Sequence, residues 1–244
     1  MKKSLVVMLA VLSLVIVSCA RNFGNGVLSQ LIPSDIIEKA KYPQQPFDKV
    51  DNHVVGNIRV IQSDQSRVTL SAPENYIDLF EFNNENGCLN ICFTHDPVNI
   101  NGKDVTILIY TPTLKTFENS GAATISIDSL VTDDFNVKNS GVGSFYLTNI
   151  SVKRVDVSCS GVGSISISGQ AEEGEYSCSG VGSIHAHEMK ARSAKANVSG
   201  VGSIECYASE RIKGAVTGIG SLKYGGRPAE RSFNKPKVGS IHEM

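Results

Sequence analysis

The chain reads as an all-β protein: a right-handed parallel β-helix-like solenoid of about 20-residue coils, preceded by an all-β N-terminal part of the same domain. Three observations carry this. A Ser-Gly-Val-Gly-Ser-Ile hexad recurs through the second half of the chain. The copies begin at Ser120, Ser140, Ser160, Ser179, Ser199 and Thr217, 18 to 20 residues apart, which is the size of one solenoid coil. Elsewhere apolar residues alternate with period two, and no long stretch carries a helical stripe.

The first residues have another character. Lys2 and Lys3 precede a 13-residue apolar run, Leu5 to Val17, broken only by Ser13. Such a run is too short to span a bilayer and fits a signal-peptide core. It ends in Ile16-Val17-Ser18-Cys19, which resembles the lipobox of bacterial lipoproteins. That resemblance implies cleavage before Cys19 and diacylglycerol on its thiol. Residues 1–18 are thus expected to be a signal peptide. Residues 19–46 are expected to be a lipidated N-terminus and tether, with one or two helical turns between Ser34 and Lys41. The mature chain would carry 21 basic and 24 acidic side chains.

From Phe47 the alternation predicts strands at 57–62, 67–71, 77–82, 88–93 and 104–110. Asn83 to Gly87 is a turn by composition. In the repeats, Ile125, Phe145, Ile165, Ile184, Ile204, Leu222 and Ile241 form one apolar column. Ile127, Leu147, Ile167, Ala186, Cys206 and Tyr224 form a second, two residues on and on the same side. The residues between them, Ser126, Tyr146, Ser166, His185, Glu205, Lys223 and His242, are predicted to face solvent. A further strand precedes each hexad, as at Val155 to Cys159. The hexad itself reads as a corner, where glycine answers a positive φ or a close backbone approach. Residues 225–244 are expected either to cap the stack or to continue it through Val238 to Ile241.

The repeats also carry a family resemblance. Ser-Gly-x-Gly-Ser-Ile coils follow a strand pair, Phe47 to Ile61, with Gly56-Asn57-Ile58 inside it. Asn86-Gly-Cys-Leu-Asn-Ile91 and the strand-Pro-Leu segment Val105 to Leu114 complete the pattern. Together they resemble the head GIN domain of auto-transporter adhesins, found in lipoproteins of Bacteroidetes type. The resemblance covers about residues 47–226. It implies a β-solenoid-like fold over 47–244, an envelope location and no catalytic residues. His53-Val54-Val55 departs from the pattern, so the first coil is expected to be irregular.

Composition excludes several functions. Basic and acidic residues nearly cancel, 23 against 24, which argues against nucleic-acid binding. There is no Trp, and few aromatics are present for sugar stacking. The acidic pairs Asp133-Asp134 and Glu172-Glu173 fall between repeats and read as charged loops. His185, His187 and Glu205 share an outward face and are zinc ligands by type, the one weak metal candidate. No cofactor and no catalytic residue is expected. Cys159 and Cys178 should stack in adjacent coils, as two buried thiols or as a disulfide. Cys88 and Cys92 lie too far apart on one strand to pair.

The expected function is therefore a non-catalytic lipoprotein, anchored in the outer membrane through Cys19. It would present its repetitive face to a protein or polysaccharide partner, with self-association through an exposed edge open as well. The alternative is an envelope protein that binds a lipid, glycan or small ligand in a groove between the N-terminal strands and the coils. A polysaccharide enzyme is the third reading.

Overall fold

A strand in a parallel stack must find hydrogen-bond partners on both sides, so the arrangement of coils follows from which strands pair. The computed structural model describes residues 30–95, 98–234 and 238–244. The N-terminal strands are β1 (Ile37–Pro43), β2 (Lys49–Asn52), β3 (Val55–Gln62), β4 (Arg67–Pro73), β5 (Phe80–Glu85), β6 (Cys88–Phe93) and β7 (Thr106–Thr111). The repeats supply β8 (Thr116–Asn119), β9 (Ala122–Ile127), β10 (Leu130–Val131), β11 (Asp134–Asn139), β12 (Val142–Ser151), β13 (Arg154–Cys159), β14 (Val162–Cys178), β15 (Val181–Val198) and β16 (Val201–Val216). β17 (Ile219–Gly225), β18 (Glu230–Asn234) and β19 (Ser240–Glu243) end the chain.

Each coil has one strand before its Ser-Gly corner and one after it. The two strands stack in parallel on their counterparts in the next coil, hexad on hexad. Short segments such as β10 and residues 150–151 form a third row. The predicted inward columns are buried from Ile125 to Leu222 and from Ile127 to Tyr224. Burying each large aliphatic side chain is worth roughly 1.5–3 kcal/mol. Long-range stacking therefore supplies most of the stabilisation, since no coil encloses a core by itself.

Stack order departs from chain order at the N-terminal end. β2 lies between β6 and β8, and β3 between β7 and β9. The coil 49–62 is thus the second rung, and the later strands β6 and β7 are laid outside it. Its corner is regular, contrary to expectation. Val55, Gly56, Asn57 and Ile58 pair with Ala122 to Ile125 without a register shift. His53-Val54-Val55-Gly56-Asn57-Ile58 is a divergent copy of the hexad, its second glycine kept.

The outer end of the stack is closed by antiparallel strands. β4 covers β7, β1 covers β4, and β5 covers β6 through a two-residue turn at Asn86-Gly87 with both φ angles positive. A 3₁₀ segment, Glu74–Leu79, joins β4 to β5 where the sequence predicted a strand from Ile77. Tyr76 is buried there and donates to the Leu31 carbonyl at 2.6 Å. The helical turns expected within 34–41 are absent, and residues 37–43 pair as a strand instead. Lys39, Lys41 and Pro43 on that edge discourage further strand addition. At the other end residues 225–234 and 238–244 continue the coil, with β18 on β16 and β19 on β17. Residues 31–244 form one compact unit.

The corner explains the glycine columns. Ser140 and Gly141 N–H groups both donate to the Asn119 carbonyl at 2.9 Å, and Val142 N–H donates to the Gly121 carbonyl. The pattern repeats in the following coils. A Cβ on Gly141, Gly161, Gly180, Gly200 or Gly218 would overlap the glycine carbonyl oxygen of the preceding coil. Close approach is thus the reason for this column. Positive φ adds to it in the second column only, as at Gly56 and Gly163.

Just before the corners runs a buried polar ladder. Asn52 Nδ2 donates to Asn119 Oδ1 at 2.8 Å, and Asn119 Nδ2 donates to Asn139 Oδ1 at 2.9 Å. All three asparagines are fully or almost fully buried. The column continues through Cys159 and Cys178, which are in register and unbonded, to Val198 and Val216. The ladder ends at Asn139, whose Nδ2 is buried without a hydrogen-bond partner.

Two stability measurements check these constraints. Gly161→Ala should cost about 3 kcal/mol or more in chemical denaturation, because the corner must open to admit the methyl. Gly225→Ala meets only ordinary contacts and should change stability by less than about 0.5 kcal/mol. Asn119→Leu strands groups on both neighbours and should cost about 2–4 kcal/mol. Asn52→Leu combined with Asn119→Leu should cost less than the sum of the two.

Candidate binding face

Beside the corner, each coil after the first repeat points a branched aliphatic side chain into water. Val142, Val162, Val181, Val201, Ile219 and Val238 are 50–66% exposed. They stand in one column because the hexads stack in register. At about 4.8 Å per rung the six form a ridge roughly 24 Å long. Next to the ridge runs a valley of glycine and half-buried serine. Ser144, Ser164, Ser183, Ser203 and Ser221 form its hydroxyl column, with Ser164 donating to Ser144 at 3.4 Å and Ser183 meeting Ser203 at 3.0 Å. Ridge and valley carry no charged residue from Val142 to Ser221 within these columns.

The ridge was not singled out in the sequence, although its signal was present. The residue between the two glycines is Val or Ile in every full copy from Ser140 onward, and Val238 takes the same place in the truncated last copy. Its exposure depends on which way the corner turns, and that needs the fold.

Toward the N-terminal end the valley becomes a groove. Ile100, Asn101, Gly102 and Lys103 line it together with Gly56, Ala122, Ala123 and Gly143, an open groove of about 590 Å³. Asn57, Thr124 and Ser144 add polar groups to its lining. This is a concave place between the N-terminal strands and the coils, as the ligand-binding alternative requires.

Farther across the same face, His185, His187 and Glu205 do come together. Glu205 Oε2 lies 3.3 Å from His185 Nδ1 and 3.7 Å from His187 Nδ1. Its other oxygen accepts from Lys223 Nζ at 2.9 Å. The Lys223 ammonium, assisted by His185, holds the Glu205 carboxyl below the usual carboxylate range. A cation already occupies the carboxylate, and no metal-holding cluster occurs among the described residues. The acidic pairs are likewise engaged: Asp133 with Lys153, Asp134 and Glu173 with Arg154. Such pairs tie neighbouring coils together on the strand face before the corner.

The cysteines are structural in this geometry. Cys159, Cys178 and Cys206 are buried, and Cys88 and Cys92 are partly exposed. Burial pushes the Cys206 thiol up to about 12. The two stacked thiols titrate as a pair, the contact between them lowering Cys159 and, together with burial, raising Cys178. Cys19 lies outside the described residues.

The family model described as "Putative auto-transporter adhesin, head GIN domain" matches residues 46–228. The chain belongs to this head GIN domain family. Among solved structures it is similar to a "putative adhesin" of Bacteroides fragilis, with 30% identity and a TM-score of 0.84. That match covers 88% of this chain and 100% of the other. A "Putative lipid binding protein" of Parabacteroides distasonis shares the fold at 19% identity and TM-score 0.67, covering 88% and 100%. A "putative adhesin" of Parabacteroides merdae does so at 21% identity and TM-score 0.64, covering 88% and 99%. No curated protein matches the chain. Membership of a family of adhesins suggests a cell-envelope protein without catalytic activity. Among the described residues no helix is long and apolar enough to cross a membrane.

The Glu205 cluster sets a pH dependence. A carboxyl lowered on folding stabilises the fold above its unfolded value, near 4.3, and loses that contribution as pH falls through the lowered folded value. Wild type should therefore melt about 2 °C above Glu205→Gln at neutral pH, a small gap because the cluster is partly solvated. The two melting temperatures should converge below about pH 4.

Proposed function

We propose that the protein is a non-catalytic adhesion lipoprotein of the outer membrane. Cys19 carries the lipid, the segment that follows it holds the head away from the bilayer, and the solenoid makes the contact. The observation that carries this reading is the continuous exposed Val/Ile ridge. A soluble domain rarely leaves a contiguous apolar row in water unless something covers it. Single contacts along the ridge are weak, and their regular repetition favours multivalent binding to a protein or polysaccharide surface. The adhesin description of the family and of the Bacteroides fragilis relative supports the same reading.

The groove under Ile100 to Lys103 favours a second reading, a binder of a lipid, glycan or other small ligand. Its volume lies within the range of ligand pockets, roughly 300–1,000 Å³. The Parabacteroides distasonis relative, described as lipid binding, points the same way.

Protease treatment of intact cells tests the adhesive reading. The head should be removed from wild-type cells, and Cys19→Ala should shift the protein from the membrane to the soluble fraction. Val162→Lys with Val201→Lys should lower attachment of cells to their surface about tenfold or more without changing the amount displayed. A head that resists protease until the outer membrane is opened sinks the adhesive reading. Ligand binding lost on Thr124→Phe, an exposed lining position, with attachment unaffected, supports the groove.

A further inference from the structure

The ridge and the valley beside it are complementary to each other, and that points to an occupant. A row of side chains with fixed pitch interdigitates over its whole length only with a surface of equal pitch. Stacked β-strands have that pitch, about 4.8 Å. A second copy of this chain supplies the pitch, an equally uncharged surface and the matching relief at once. We infer that the Val/Ile ridge of one copy packs into the glycine–serine valley of another, about a two-fold axis perpendicular to the stack.

Several features of the molecule support this pairing. The ridge residues are at least half exposed, whereas the valley serines are half-buried, so relief of both signs lies side by side. In a two-fold contact each copy offers its ridge to the partner's valley, an isologous and closed arrangement. The ridge and serine columns carry no charge from Val142 to Ser221, and Glu205 and Lys223 in the column beside them are paired with each other, which limits like-charge repulsion between identical surfaces. Ile100 to Lys103 line the N-terminal end of the valley, where the uniform column of corners gives way to another surface.

The area sets the strength. Six rungs by about 15 Å give roughly 360 Å² per copy and about 700 Å² in total, below the 1,200 Å² of a stable standard interface. The dimer is therefore weak in dilute solution and forms where copies are concentrated on one membrane. The inference deepens the adhesive reading above, since it rests on the ridge being the contact surface and on the lipid anchor crowding the heads.

The test uses the full chain in its own membranes, with a photoreactive amino acid in place of Val181. Light should give a homodimer as the main product. Sedimentation of the detergent-purified full chain should show dimer rising with concentration. Val162→Lys with Val201→Lys should lower both signals about tenfold or more. Should those lysines disturb folding, judged by circular dichroism, the near-isosteric Val162→Thr with Val201→Thr should still lower them severalfold. Val131→Lys, at an exposed apolar position off the ridge, should leave them unchanged. A homodimer insensitive to the ridge variants overturns the inference. Cross-links only to other proteins or to a polysaccharide also overturn self-pairing, while keeping the ridge as an adhesive surface. No cross-link of any kind overturns both.

Discussion

One carbonyl oxygen per coil does two things on which the rest of the structure depends. The carbonyl of Gly121 accepts the N–H of Val142, and that of Gly141 accepts the N–H of Val162. The same oxygens occupy the space a Cβ would need on Gly141 and Gly161. Hydrogen bonding between corners and exclusion of side chains from them are thus one contact. Once a coil has its glycine in place, its register against the preceding coil follows. The inward columns, the ion pairs between coils and the exposed ridge are then set by counting from that residue. A one-residue slip would invert every side chain, so the corner is where the fold is specified.

Within that frame the interior changes chemistry from coil to coil without changing geometry. The column before the corner begins as asparagine, passes through Cys159 and Cys178, and ends as Val198 and Val216. Asparagine suits the early coils because Asn119 accepts from Asn52 on one side and donates to Asn139 on the other, and Asn52 also reaches the Val54 carbonyl. Volume is exchanged between neighbouring coils as well. Tyr176 is buried and stacks on Ala196, which in turn stacks on Gly214. A large side chain in one coil fills space that small ones leave in the next, as close packing requires.

The parts legible in the sequence were those that repeat. Seven near-identical segments define columns directly, and so Ile125 to Leu222 could be placed inside and Ser126 to Lys223 outside before any fold was known. The order of the first coils was not legible. Alternation says which face of a strand is buried, and it does not say which strand lies alongside. Nothing local in β6 or β7 tells that they stack outside β2 and β3. β1 was missed for a related reason. It is an edge strand with most of its residues exposed, so it lacks the apolar alternation that marks a strand. The regularity of the His53-Val54-Val55 corner was hidden too, because it lies on the N-terminal side of the first Ser-Gly repeat. Of the candidate site, the groove between the N-terminal strands and the coils was foreseen as a place. The ridge beside it was not, since attention to the corner glycines explains the turn and leaves the residue between them unexamined.

That residue is also the one the corner does not constrain. Its side chain points into water, and the position accepts Ala122 in one coil and Ile219 in another. A methyl and a branched butyl group fit equally well, so the turn sets no demand on size or on polarity. Serine or lysine would satisfy the same geometry and be better solvated. An aliphatic residue at six successive corners is the observation on which the proposed contact rests. The glycines and inward isoleucines are accounted for by folding alone, and the ridge is the part of the repeat that the coil's own geometry does not require.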